Sequence, residues 1–228
     1  MKVRIRFTKQ GPLKFIGHLD IMRYFQKLIK RAGIPIAYSN GMSPHQIMSF
    51  ALPLGIGDES IGEYLDIELT ESVNSKVAID CLNAQTVNGI EILSFKQLDD
   101  KALNAMASVE AADYKVSFRK LPTVNLENDF ESFMKSSNIS VVKKTKKNES
   151  EIDIKPFIFD FSASDSDVSL RLKCGSVDNT KPELVMKAFY EYLAVPFDEF
   201  NLLILRKDLL TNGKNGYISL DDVGSEII

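Results

Sequence analysis

The sequence predicts an α+β fold of two tandem ferredoxin-like units, split β-α-β arrangements with antiparallel sheets. Three observations predict it. Short runs alternate apolar and charged residues, the period of half-buried strands. Between them lie stretches with apolar residues at helical spacing. The order β-α-β-β-α-β is read twice, the layout that places helices on one face of each sheet. The expected boundaries are 1–99 for the first unit, 100–111 for a linker, 112–211 for the second unit and 212–228 for a tail.

In the first unit Val3, Ile5 and Phe7 alternate with Lys2, Arg4 and Arg6, a strand that KQGP breaks. From His18 to Ala32 the apolar positions Met22, Phe25, Leu28, Ile29 and Ala32 predict a helix that Gly33 and Pro35 end. IPIAYS reads as a short strand, and a glycine- and proline-rich loop follows. EYLDIEL (63–69) alternates again, and Gly55, Gly57 and Gly62 read as turns leading into it. VNSKVAIDCLNAQ suits a helix with Val73, Val77 and Cys81 inward, and GIEILSFKQL a strand.

The stretch 99–111 reads as a linker or short helix. In the second unit DYKVSFRK is a strand and ENDFESFMKSS a helix. ISVVKKTK, IKPFIFDFSA and DVSLRLKCG read as strands, with one strand of ambiguity around 152–163. KPELVMKAFYEYL is a helix with Pro182 in its first turn, and FNLLILRKDL the last strand.

The 228 residues, 44% hydrophobic, suffice for one large or two small cores. No apolar run approaches the roughly 20 residues of a membrane span, and MKVRIRF is no signal peptide. Cys81 and Cys174 lie far apart and form no CxxC pair, which points to reduced thiols in a cytoplasmic protein. With no cysteine cluster, the chain alone is not expected to hold an iron–sulfur cluster or a cysteine-rich zinc site; no bound cofactor or metal is expected in it.

The net charge of −3 hides an asymmetry. Residues 1–40 carry nine basic residues and one acid, Asp20, a net +8; the remaining 188 carry 19 basic and 30 acidic residues, a net −11. A basic end on an acidic protein suggests a local anionic partner, or pairing with the protein's own acids. Asp20, Arg23, Lys27 and Arg31, with Lys30 beside them, share one face of the helix at 18–32. Such a face can bind a phosphate backbone through counterion release; an ordinary solvated face is the competing reading. Lys9 and Lys14 precede it. Lys115, Arg119, Arg171, Lys173 and KKTKK (143–147) suggest a second cationic face in the later half.

The chain has two histidines, and both fall in its least regular stretches. His18 follows Gly17 where the helix begins, where unpaired amides can hold an anion. His45 follows Pro44 in a loop that also holds Ser39 and Gly41. The candidate anion- or RNA-binding residues are therefore Lys9, Lys14, His18, Arg23, Lys27, Arg31, Ser39, Gly41 and His45. Asp20, Pro44, Gly55, Ser60 and Glu63 are expected to shape the helix start and the loops. Spacing does not bring the histidines together with Asp20 or Glu63 as a metal set. No P-loop, dinucleotide, HExxH or Gly-x-Ser-x-Gly signature occurs.

These residues carry a resemblance. Lys9, Gly11 and Pro12, then His18, Asp20 and Arg23, then Tyr38, Ser39, Gly41, Pro44 and His45 resemble the signature of the radical SAM-linked domain of unknown function. Ser49, Phe50, Pro53, Leu54 and Gly55, and then Ser60, Glu63 and Tyr64, continue it over about the first 100 residues. Gln46 departs from the proline usual after that histidine. Members of that family stand alone or are fused C-terminal to cobalamin-binding radical SAM proteins, and they are often encoded near a ribonuclease and ribosomal proteins. The resemblance implies a radical SAM partner that carries SAM and an iron–sulfur cluster, and RNA or a ribosome component as a further partner, with no membrane. The expected function is an accessory module that binds RNA or another anionic substrate through the basic helix and the loop. Two alternatives stand beside it: a metal-independent endoribonuclease-like enzyme using His18 and His45 as acid and base, and a domain for protein interaction only.

Overall fold

A computed structural model describes residues 1–144, 149–175 and 178–228. It is a mixed α+β protein with a largely antiparallel sheet and five α-helices among the described residues. The chain forms two compact units, Met1–Glu110 with Arg206–Ile228, and Ala111–Leu205.

The first unit is built on β1 (Lys2–Lys9), α1 (His18–Arg31), β2 (Met48–Phe50), β3 (Glu59–Glu68), α2 (Ser75–Asn83), β4 (Ile92–Gln97) and a short α3 (Ala105–Ser108). β1 lies between β3 and β4, with Ile5 opposite Leu65 on one side and Phe95 on the other. β2 pairs with the second half of β3, Phe50 opposite Leu65. The sheet thus has the order β4-β1-β3-β2. The even-period apolar positions of β1 and β3 bury against α1 and α2: Val3, Ile5, Phe7, Leu65 and Ile67 meet Phe25, Leu28, Ile29, Ala78 and Leu82.

α1 begins after an extended Gly17 and ends in a Schellman closure, Gly33 N–H to Lys30 O and Ile34 N–H to Ile29 O. Gly33 takes φ +68°, a conformation that only glycine adopts freely. Asp20 in the first turn and Lys30 and Arg31 in the last suit the helix dipole.

Several elements differ from their sequence reading. IPIAYS makes only isolated bridges, Ile36 with Leu69 and Tyr38 with Gln46, because each residue turns to a different partner; the strand is Met48–Phe50 instead. β3 starts at Glu59, so Gly62 is a mid-strand glycine and not a turn. A Cβ at Gly62 would lie 2.5 Å from the Lys207 carbonyl oxygen, so its absence lets another strand approach. α2 buries Ser75, Ala78 and Leu82, while Val77 and Cys81 are exposed: capping by Asn74 starts the helix so that the inward stripe falls one residue off the expected one.

The second unit holds β5 (Ala111–Phe118), α4 (Leu126–Met134), a separate hairpin of β6 (Ser140–Lys144) and β7 (Glu149–Asp153), β8 (Ile158–Ala163), β9 (Asp167–Lys173) and α5 (Pro182–Tyr192). β10 (Leu202–Gly213) starts here and ends in the first unit. The order is β10-β5-β9-β8, around Phe130, Phe133 and Phe189 with ring centroids 5.0–5.6 Å apart. The ambiguous stretch near 152–163 resolves into the end of β7, a 3-10 turn at Lys155–Phe157, and β8.

Residues 212–228, expected as a tail, carry structure. After β10 come β11 (Gly216–Ser219), a 3-10 turn at Leu220–Val223 and β12 (Ser225–Glu226), which pairs with β4. Leu220 and Ile227 are buried. Short, polar and Gly-rich, the segment has no periodicity of its own.

Candidate functional site

Phe7, Phe25 and Phe50 pack ring against ring from the core of the first unit, and His18 closes the row, its ring 5.5 Å from that of Phe50 and nearly perpendicular to it. At the start of α1 this row meets a cavity. Phe7, Lys9, His18, Ile21, Phe50, Leu52, Pro53, Leu54, Glu63 and Tyr64 line it. Its free volume of about 20 Å³ is room for about one water. Seven of these ten residues belong to the signature stretches, so separate parts of the signature, from β1, α1, β2, the loop after it and β3, converge on one place.

The polar members are held firmly. Glu63 forms a bidentate ion pair with Arg206, Nε to Oε1 2.8 Å and Nη2 to Oε2 2.6 Å; Nη2 also donates to the Leu52 carbonyl at 2.7 Å. Arg206 is only 1% exposed. The Ser60 hydroxyl donates to the Arg206 carbonyl and accepts from Gly62 N–H. Ser60 and Glu63 are thus strand residues of β3 and not loop residues. Tyr64 donates to Asp208 and shares a hydrogen bond with Ser219 at 3.0 Å; burial first, then the Asp208 charge, push its phenol well above the ordinary range.

Lys9 is 5% exposed, its ammonium 3.4 Å from the Lys14 carbonyl. Burial pushes it below its ordinary value, against the pull of Glu63 and Asp58; Arg206 adds to the lowering. It cannot serve an extended backbone as an exposed cation. Lys14 is also engaged, with Glu59 at 3.0 Å. In the same segment Arg4 is bidentate to Asp66, and Arg6 faces Asp208 at 3.8 Å. The basic end is therefore partly neutralised by the protein's own acids. The exceptions lie on α1. Arg23, Lys27, Lys30 and Arg31 are exposed, and among the described residues their only carboxylate partner is Asp20, on the same helix, 3.4 Å from Arg23. Arg31 donates to the Gln85 carbonyl at 3.2 Å.

The loop at 38–46 lies beside that helix. Buried Gln46 donates from Nε2 to the Gln26 carbonyl at 3.2 Å, a contact that a proline here would lack. Ser39 holds His45 twice, through the backbone N–H at 3.1 Å and Nδ1 at 2.8 Å. Gly41, at φ +119°, and Pro44 shape the exposed turn between them. Gly55 closes a turn by accepting from Asp58 N–H, next to the Gly57 N–H to Lys14 carbonyl bond. His18 and His45 thus have different partners: one lines the cavity, the other caps a loop anchored eight residues further along α1, about 12 Å of helix axis.

The second cationic face is not free. Lys115 pairs with Asp167, Arg171 with Asp113, Lys173 with Asp178, and Arg119 donates to the Phe200 carbonyl. Carboxylates across the β5–β9 pair neutralise Lys115 and Arg171. Of KKTKK, residues 145–147 lie outside the described residues. Among the described residues no group of three or more His, Cys, Asp and Glu is placed to hold a metal ion, and no helix is long and apolar enough to cross a membrane.

The missed residue is Arg206. It is 143 residues from Glu63 in sequence, but its strand did carry a signal: Leu202, Ile204 and Arg206 share the buried side of an alternating run.

Fold and site together define an α+β protein whose signature residues surround a small cavity at the start of a basic helix. The chain belongs to the family described as uncharacterized protein conserved in bacteria (DUF2344), which matches residues 2–182. No curated protein matches it.

Proposed function

We propose that the chain is an accessory, substrate-holding module that binds RNA along the outer face of α1 and presents it to a radical SAM partner. The observation that carries this reading is the row Arg23, Lys27, Lys30 and Arg31, four exposed cations on one helix with no carboxylate from another element among the described residues. Two turns of surface cations spaced along a helix suit a polymer of phosphates better than a single small anion. The radical SAM partner rests on the signature residues, which gather at the cavity beside this face. The strand orders β4-β1-β3-β2 and β10-β5-β9-β8 support reading both units as ferredoxin-like, a layout that leaves helices on one side of the sheet. In this reading the chemistry belongs to the partner, and the module works where RNA is found, in the cytoplasm.

The test is RNA binding as a function of salt. For a single strand, the slope of log K against log salt is about −0.7 per neutralised phosphate. Charge reversal of Lys27, Lys30 and Arg31 to Glu is expected to weaken binding at 50 mM salt at least tenfold and to flatten that slope by about 2. Binding without salt dependence, or a triple variant that binds like the parent, overturns the proposal.

A further inference from the structure

The basic row ends among exposed rings. Phe15, 63% exposed, closes the 3-10 turn ahead of α1, with the Lys14 ammonium 5.6 Å from its ring centre. His18 is exposed one residue into the helix. Leu19, 60% exposed, lies on the same outward stripe as Arg23, Lys27 and Lys30. Tyr38, 52% exposed, is bridged to Gln46, whose side chain is tied to the middle of α1. Phe15, His18 and Tyr38 thus leave ring surface open to solvent, and Phe15 does so beside a cation.

A regular duplex keeps its bases stacked inside and offers such rings nothing to stack on. A single strand offers unstacked bases, which aromatic side chains hold while cations follow the backbone. The cavity beside His18 has room for about one water, so a base cannot enter it and must rest on the surface rings.

We infer that the ligand of this face is single-stranded RNA, its phosphates on Arg23, Lys27 and Lys30 and its bases on Phe15, His18 and Tyr38. This rests on the RNA reading above and narrows it. The experiment measures fluorescence anisotropy of the full chain with a labelled 12-nucleotide oligo(U), with a labelled 12-base-pair RNA duplex, and with labelled polyglutamate. The expected result is oligo(U) binding at least tenfold tighter than duplex. Phe15→Ala and Tyr38→Ala together should weaken oligo(U) binding at least tenfold, with duplex binding unchanged and Phe15→Tyr like the parent. Equal affinity for both RNAs, or ring variants that bind oligo(U) like the parent, overturns the single-strand inference and leaves RNA binding standing. Binding of none of the three probes overturns both readings; polyglutamate bound with neither RNA overturns both and assigns the face to an acidic protein.

Discussion

Tyr64 shows how a signature residue can be structural and still leave a measurable trace. Its hydroxyl meets Asp208 and Ser219, and burial and the Asp208 carboxylate hold the proton on. In the unfolded chain that proton leaves near the ordinary 10.0. Above that pH the unfolded state binds fewer protons than the folded one, so stability falls as pH rises, by up to about 1.4 kcal/mol per unit from this group. Lys9, pushed down from 10.5, acts in the opposite sense below that value. Tyr64→Phe removes only the first effect. At pH 8 it is expected to be less stable than the parent by about 1–3 kcal/mol for the lost hydrogen bonds, and the difference should shrink above pH 10. Urea unfolding at pH 8, 9, 10 and 11 checks this; a constant difference contradicts it. At this scale the sequence made Lys9, His18, Glu63 and Tyr64 legible through their signature stretches. It did not show that Lys9 is buried, because an ammonium at the end of an alternating strand reads as solvated, nor that Glu63 has a partner 143 residues away.

Among elements, those built by short-range periodicity were legible: β1, α1 and α5 lie close to where apolar spacing placed them. What failed was whatever depended on partners. Gly62 looked like a turn because no local pattern distinguishes a turn glycine from one that admits a neighbouring strand. In the fold its missing Cβ leaves room for Lys207 and Asp208, at 2.5 and 2.7 Å, both backbone atoms that cannot swing aside. Gly62→Ala must therefore push β3 and β10 apart, straining the Ser60 bond to the Arg206 carbonyl and the Glu63–Arg206 pair. The expected cost is about 1–3 kcal/mol, the usual range for overpacking, read from the urea midpoint. At the mid-loop Gly41 a Cβ would meet nothing within 4 Å, but φ +119° would strain any side chain placed there, a different reason for glycine. A Gly62→Ala protein as stable as the parent means that β10 does not pass so close.

For the molecule as a whole, the decisive long-range fact is that the chain's end completes its beginning. The 3-10 turn at Leu220–Val223 caps the polar face of the first sheet: Arg4 donates to the Leu220 carbonyl, and Ser94 and Lys96 bind Asp221. Ile227 enters the core, and its backbone exchanges bonds with Ser75, which in turn starts α2. No window of the sequence foretells this, since the contacts join residues more than 120 apart. Cutting the chain after Ser219 removes two buried aliphatic side chains, each worth about 2–5 kcal/mol, and leaves Arg4 and Ser94 short of buried partners. Against a total stability of about 5–15 kcal/mol, the loss is expected to abolish cooperative unfolding of the first unit. Removing Ile228 alone, fully exposed, should change nothing. Circular dichroism melts of both truncations separate the outcomes: a chain ending at Ser219 that melts like the parent would mean that these last residues decorate the unit and do not hold it.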